Sequence, residues 1–181
     1  MSIQITYFVH GTTKDNENNI SSGWNNAVLS QKGIDQSIAL KDQIGDDIFD
    51  AVFCSDLIRA VHSAELTFKG EVKIIQDKRL RECNYGIYNA QSSDVVEPMQ
   101  EKHINERFPD GESYENVKKR ISDFLDFLKE NYDKKSVAIV AHKAPQLALD
   151  VLLRGKTWEQ AFAEDWRKTK SWQPGWKYIL K

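Results

Sequence analysis

The chain has 181 residues, 40% hydrophobic and 29% charged, with a formal net charge of −2. That is one domain's length with enough apolar material for a core, and it gives no electrostatic case for a nucleic-acid partner or an anionic membrane. No apolar run approaches the roughly 20 residues that span a bilayer, the opening MSIQITYFVHG has no basic region or small-residue cleavage site, and two cysteines, Cys54 and Cys83, are too few for a disulfide framework. The cytoplasm is the expected compartment.

Residues 3–9 (IQITYFV) predict a strand, followed by a polar loop. Leu29-Ser30 opens a helix, with Ser30 as cap and Leu29 stapled onto Ile34. Residues 50–54 (DAVFC) read as a short buried strand, with Ser55-Asp56 capping a helix that runs to about Phe68. Residues 72–75 (VKII) predict another strand. Residues 84–111 have no clean period, which makes them a candidate lid or substrate loop. An amphipathic helix starts at Ser113, with Tyr114, Val117, Ile121, Phe124, Leu125 and Leu128 on one face. Residues 136–141 (SVAIVA) are the best central strand. Pro145 lies in the first turn of the next helix, Gly155 ends it, and Thr157 with Gln160 forms a capping box. Pro174-Gly175 turns into a last strand, 176–180 (WKYIL). Strands alternating with helices imply one α/β domain over residues 1–181, a mostly parallel sheet with helices on both faces.

Three polar clusters directly follow predicted strands: His10-Gly11-Thr12-Thr13, Ser55 to Arg59, and His142-Lys143. Ligands of open α/β sheets bind beyond the carboxyl ends of the strands, so His10, Arg59 and His142 converge on one rim. Arg59 sits in the first turn of its helix, where the dipole disfavours a cation unless an anion binds there; pairing with Asp56 is the competing reading. Gly11 would let the backbone approach a ligand closely. Two histidines and an arginine suit phosphoryl transfer, because an imidazole can attack phosphorus while cations hold the transferring oxygens. His62 and His103 read as solvated.

These pieces together resemble the histidine phosphatase superfamily, in the branch that includes phosphoglycerate mutases. FVHGTT with Asn16 stands where the family has RHG-[ES]-T and an Asn; Gly23-Trp24, LSQKG, CSDLIRAVHSAE, LRECNYG, FPDGES and AHK follow in order, covering nearly the whole chain. The resemblance implies a three-layer sandwich with neither metal nor organic cofactor, acting on a small phosphorylated substrate. By the same resemblance His10 is the residue phosphorylated in turnover, Arg59 and His142 line the phosphate pocket, Asn16 is a further phosphate ligand, and Glu82 is the general acid. Without its motif, Glu82 in Arg79-Leu80-Arg81-Glu82 could equally pair on the surface.

Three positions depart from the pattern. Val9 replaces the arginine before the nucleophile, Thr12 stands at the acidic or serine position, and Lys143 replaces the glycine after the second histidine. The Lys143 ammonium could restore the charge lost at Val9, or point to solvent. A cysteine phosphatase is excluded because Cys54 and Arg59 enclose four residues rather than five, with no glycine for the tight loop. A nucleotide-binding loop at Gly155-Lys156-Thr157 fails because it follows a helix and its first glycine would fall at Asp150, and metal hydrolysis lacks clustered ligands. A non-catalytic phosphate-binding or interaction protein and a mutase remain as alternatives. In the former, the tryptophans Trp158, Trp166, Trp172 and Trp176 could form a partner surface; packing of the last elements is the preferred reading.

Overall fold

A computed structural model describes residues 2–45, 47–70, 72–169 and 175–181. Its central sheet has five strands: β1 (Ile3–Val9), β3 (Ala51–Cys54), β4 (Ile74–Gln76), β6 (Ser136–Ala141) and β7 (Trp176–Leu180), in the order β4-β3-β6-β1-β7. The first four are mutually parallel, and β7 runs antiparallel to β1. Val9 pairs with Ala141 and Cys54 with Val140, so the chain leaves all three strands at one edge. His10 N–H extends the ladder by donating to Ala141 O at 3.0 Å.

Side chains alternate across the sheet with period two. Ile5, Tyr7, Phe53, Val137 and Ile139 face one core, built with α5 (Tyr114–Asn131) and α6 (Lys143–Arg154). Phe8, Val52, Cys54, Ala138 and Val140 face the other, closed by Leu40, Ala64 and Phe68 from α2 (Gln31–Ile44) and α3 (Ile58–Phe68). This is the three-layer α/β arrangement expected. The central strand is β6, buried on both faces from Val137 to Ala141.

Local signals set several boundaries. Ser30 Oγ accepts from Gly33 N–H and starts α2. Ser113 and Asn116 form a reciprocal capping box for α5, whose six apolar-face residues are all buried. Gly155 ends α6 at φ 67°, the left-handed region that a residue without Cβ enters at no steric cost. Thr157 and Gln160 cap α7 (Trp158–Ala163) reciprocally. Trp158 and Trp176 are buried and Trp166 packs against the same core, as the packing reading of these tryptophans requires; Trp172 and Pro174 lie outside the described residues.

Three expectations need correction. The strand expected at 72–75 is Ile74–Gln76, because β3 pairs in register from Val52–Ile74 to Cys54–Gln76. Ser55-Asp56 does not cap α3: the N-cap is Leu57, without a side-chain cap, and the helix starts at Ile58, while Ser55 Oγ accepts from Leu57 N–H and lies 2.6 Å from His142 Nε2. His103 is not solvated. It is 2% exposed and stacks on Phe108 with 3.9 Å between ring centroids.

The irregular stretch 84–111 is an ordered loop whose ends touch. Ile87 N–H donates to Pro109 O and Glu112 N–H to Asn84 O. Gly86, at φ 57°, makes the closure possible: a Cβ there would stand 1.8 Å from Pro109 O. Within the loop, β5 (Gln91–Ser92) pairs antiparallel with β2 (Ile20–Ser21) and leads into α4 (Ser93–Val96). Among the described residues, no helix is long and apolar enough to cross a membrane.

Candidate active site

At the carboxyl edge of the sheet lies a cavity of ≈ 50 Å³ lined by His10, Asn16, Arg59, Glu82, Lys143 and Arg167, with Ser21, Ser22, Tyr85 and Ser93 on its loop side. His10 Nδ1 is 2.7 Å from Gly11 O. A carbonyl oxygen only accepts, so the proton sits on Nδ1 and the Nε2 lone pair is free. Burial, aided by the Arg59 cation, lowers the His10 pKa to about 3, which keeps the ring neutral near neutral pH.

His142 begins α6 as its N-cap, with ring centroid 5.0 Å from that of His10. Ser55 Oγ is 2.6 Å from its Nε2. The Tyr7 hydroxyl accepts from its backbone N–H and donates to its carbonyl. Its buried Nδ1 has no hydrogen-bond partner among the described residues. Burial, then Arg59 and His10, push its pKa well below the usual histidine value.

Arg59 is 2% exposed and does not pair with Asp56, which binds Arg81 bidentately instead. Its Nη1 and Nη2 donate to Asn25 O and Gly23 O. These carbonyls fix the guanidinium beside the cavity without neutralising it. Glu82 is held by its Oε1, which accepts from Cys83 N–H at 2.8 Å and Ala144 N–H at 3.1 Å. The first bond comes from its own loop and the second from the α6 N-terminus, so the carboxylate locks two elements together. Trp24 Nε1 and Arg120 Nη2 both donate to the Glu82 carbonyl, fixing the backbone as well.

Lys143 turns inward. It is 5% exposed, and its Nζ has no hydrogen-bond partner among the described residues, with Asp165 Oδ2 3.7 Å away. Burial, with Arg167 nearby, lowers its pKa to about 8, against the pull of Asp165, Glu97 and Glu82. A folded pKa below the unfolded value means that the protonated lysine destabilises the fold below pH 8, and that this cost is relieved as pH rises from about 8 towards 10.5. The shift corresponds to on the order of 3 kcal/mol. Lys143→Met, which leaves Asp165 its bonds from Arg167, is therefore expected to raise stability in urea at pH 7, with the gain fading towards pH 10. An unchanged or lowered midpoint would show that Asp165 already compensates the ammonium.

Asn16 lines the cavity while its Oδ1 accepts from Thr13 N–H. Thr12 is turned away: its N–H and hydroxyl both donate to Gln36 Oε1. Gly11 allows close packing of another kind than expected. A Cβ there would lie 2.3 Å from Gly33 O, so α2 packs directly on this turn. Cys54 is buried, and desolvation, with Glu65 and Asp56, pushes its thiol up to about 12, which removes the thiolate a cysteine mechanism needs. Among the described residues, no group of three or more His, Cys, Asp or Glu could hold a metal.

The family model described as histidine phosphatase superfamily (branch 1) matches residues 7–173. The chain belongs to this superfamily. Fructose-2,6-bisphosphatase TIGAR of Xenopus tropicalis is 31% identical over 134 residues, 68% of this chain and 49% of the relative. The 2,3-bisphosphoglycerate-dependent phosphoglycerate mutase of Chlamydia felis is 32% identical over 103 residues, 54% of this chain and 45% of the relative. The chain thus spans about half the length of these two histidine phosphatase relatives. A crystal structure of a putative alpha-ribazole-5'-P phosphatase from Escherichia coli K-12 superposes with a TM-score of 0.80 at 22% identity, covering 89% of this chain and 84% of that one; it shares the phosphoglycerate mutase-like fold.

Arg167 is a charged cavity residue that the motifs did not name. It comes from the 3-10 turn Trp166–Thr169, and its Nε and Nη2 donate to Asp165 Oδ2.

Proposed function

We propose that this chain is a phosphomonoesterase acting on a small phosphorylated metabolite through a phosphohistidine on His10. The observation that carries the reading is the His10 ring: its Nδ1 proton is tied to Gly11 O, and the ring lines a cavity shared with Arg59 and Glu82. In the first step Nε2 attacks phosphorus, the P–O ester bond breaks, and Glu82 gives a proton to the leaving oxygen, which departs as an alcohol. In the second, Glu82 takes a proton from water, the oxygen attacks phosphorus, and the P–N bond breaks to release phosphate. Glu82 Oε1 is occupied by two backbone N–H groups, leaving Oε2 as the oxygen that handles the proton. Arg59, His142 and Asn16 hold the equatorial oxygens. Names of the relatives support phosphatase or phosphotransfer chemistry in general and do not single out a substrate.

Val9 favours a second reading, a phosphate-binding protein without turnover. Its side chain packs against the core and brings no cation to the cavity. Lys143 answers it with a buried ammonium in the same cavity, a point charge without the fork of arginine. One experiment separates the readings. Phosphorylated sugars, carboxylic acids and nucleotides are assayed for phosphate release, with and without EDTA. Acid-quenched protein is then examined for an acid-labile, base-stable phosphoryl label. Release that survives EDTA, together with the label, is the expected result. Phosphate binding with neither release nor label establishes the binding protein, and loss on chelation restored by a divalent ion overturns the mechanism.

A further inference from the structure

Arg167 is held between two carboxylates of unlike character. Asp165 is 5% exposed, accepts from Arg167 N–H, Nε and Nη2, and also lies 3.7 Å from Lys143 Nζ. It is a fixed counter-ion for both cations. Glu97 is different. Its Oε1 is 2.7 Å from Arg167 Nη2, yet its side chain is 42% exposed, and it belongs to the 84–111 loop. Withdrawing such a carboxylate into water costs little, since solvent screening weakens an ion pair this exposed. Arg167 meanwhile lines the His10 cavity. The cavity therefore holds an arginine of which one donor nitrogen is shared with a carboxylate that can leave.

Resting on the reading of this cavity as a phosphoryl pocket, we propose that Arg167 is a phosphoryl-binding residue that takes the place left by Val9, and that Glu97 occupies it until phosphate displaces the carboxylate. A dianionic phosphoryl group is the better ligand for a guanidinium, with more charge and a geometry that accepts two parallel N–H bonds. Lys143 Nζ, buried and without a hydrogen-bond partner among the described residues, faces the same group from the start of α6. Val9's missing charge is thus supplied by two cations distant in sequence from strand β1. Because Glu97 lies in the 84–111 loop, the exchange ties phosphate binding to release of that loop's edge, and departure of product phosphate re-forms the ion pair.

The test is a double-mutant cycle read by titration calorimetry with inorganic phosphate and with vanadate on the full chain. Glu97→Gln is expected to tighten both ligands by about 3- to 10-fold, because the competitor is gone. Arg167→Gln is expected to weaken both about tenfold or more, and to erase the effect of Glu97→Gln. Adding guanidinium chloride at low concentration is expected to restore part of the affinity of Arg167→Gln, which loss of a merely structural bond to Asp165 would not permit. Wild-type affinity in a folded Arg167→Gln, or a Glu97→Gln gain that persists in that background, overturns the proposal. If Arg167→Gln does not fold, Glu97→Gln decides alone, and unchanged or weaker binding overturns it. A wild-type chain that neither binds vanadate nor labels on His10 would instead sink the phosphatase reading beneath it.

Discussion

Replacing His10 by alanine is expected to lower turnover by about 10⁴-fold or more and to eliminate the phosphoryl label, while phosphate still binds. The nucleophile is the one group whose atom forms a bond to phosphorus, and the nearby imidazole and thiol are less well placed to replace it. His142 Nε2 is engaged by Ser55, and the Cys54 thiol is held protonated to about pH 12. The pH profile adds a sharper check. Burial and the Arg59 cation depress the His10 pKa to about 3, so the ring is the neutral nucleophile wherever the pH exceeds that value. Once the substrate's own ionisation at about pH 6 is divided out, the acid limb of kcat/KM should carry no titration near 6.5, the value of an ordinary histidine. Activity that falls through pH 6.5 in wild type would mean that the imidazole titrates normally, whereas Arg59→Gln, which removes one of the depressing influences, is expected to move the His10 limb upward. Residual label in His10→Ala would move the nucleophile elsewhere.

Much of this site was legible because strand ends are legible. The run SVAIVA reads as the best central-strand candidate, the structure buries it on both faces from Val137 to Ala141, and His142 follows at its carboxyl edge. Helix starts were legible where a side chain caps them, as at Ser30, Ser113 and Thr157. Ser55 misled because a serine before a helix is an ordinary cap, whereas here its hydroxyl is 2.6 Å from His142, 87 residues away in the chain. His103 misled because stacking on Phe108 is a tertiary event with no local pattern. Arg167 stayed hidden for a topological reason. The strand at 176–180 was expected, but not its direction. Trp176 pairs with Tyr7 and Leu180 with Ile3, so β7 starts at the carboxyl end of β1. The start of β7 therefore lies at the His10 edge, and the acid-arginine pair Asp165 and Arg167, shortly before it in sequence, is the signal that strand direction would have exposed. The stretch 84–111 stands out in the sequence, as a candidate lid or substrate loop, only by its lack of period, and its pairing with β2, Ile20 with Ser92 and Ser21 with Gln91, lies beyond any sequence pattern.

Replacing Glu82 by glutamine is expected to separate substrates by their leaving groups. The side chain keeps its shape, and glutamine Oε1 can still accept from Cys83 N–H and Ala144 N–H, the two bonds that fix the carboxylate, so the fold should be undisturbed. What disappears is the proton. An alkyl oxygen leaves as a strongly basic alkoxide unless it is protonated in the transition state, and positioned acid catalysis contributes roughly 10²- to 10⁴-fold. A p-nitrophenyl oxygen is stable as the anion and needs little help. With transfer to His10 limiting the rate, Glu82→Gln should thus slow an alkyl phosphate by about 10²-fold or more while changing p-nitrophenyl phosphate far less. Release of phosphate from His10 also needs Glu82, now as base towards water, so the labelled enzyme should accumulate with p-nitrophenyl phosphate in this variant. Single-turnover measurements distinguish the two roles: a fast burst of nitrophenol followed by slow phosphate release assigns the base role, and slow transfer restricted to alkyl esters assigns the acid role. Equal slowing of both substrates in the burst would place Glu82 outside proton transfer. Its bonds to Cys83 and Ala144 would then be its whole contribution, joining the loop after β4 to the start of α6.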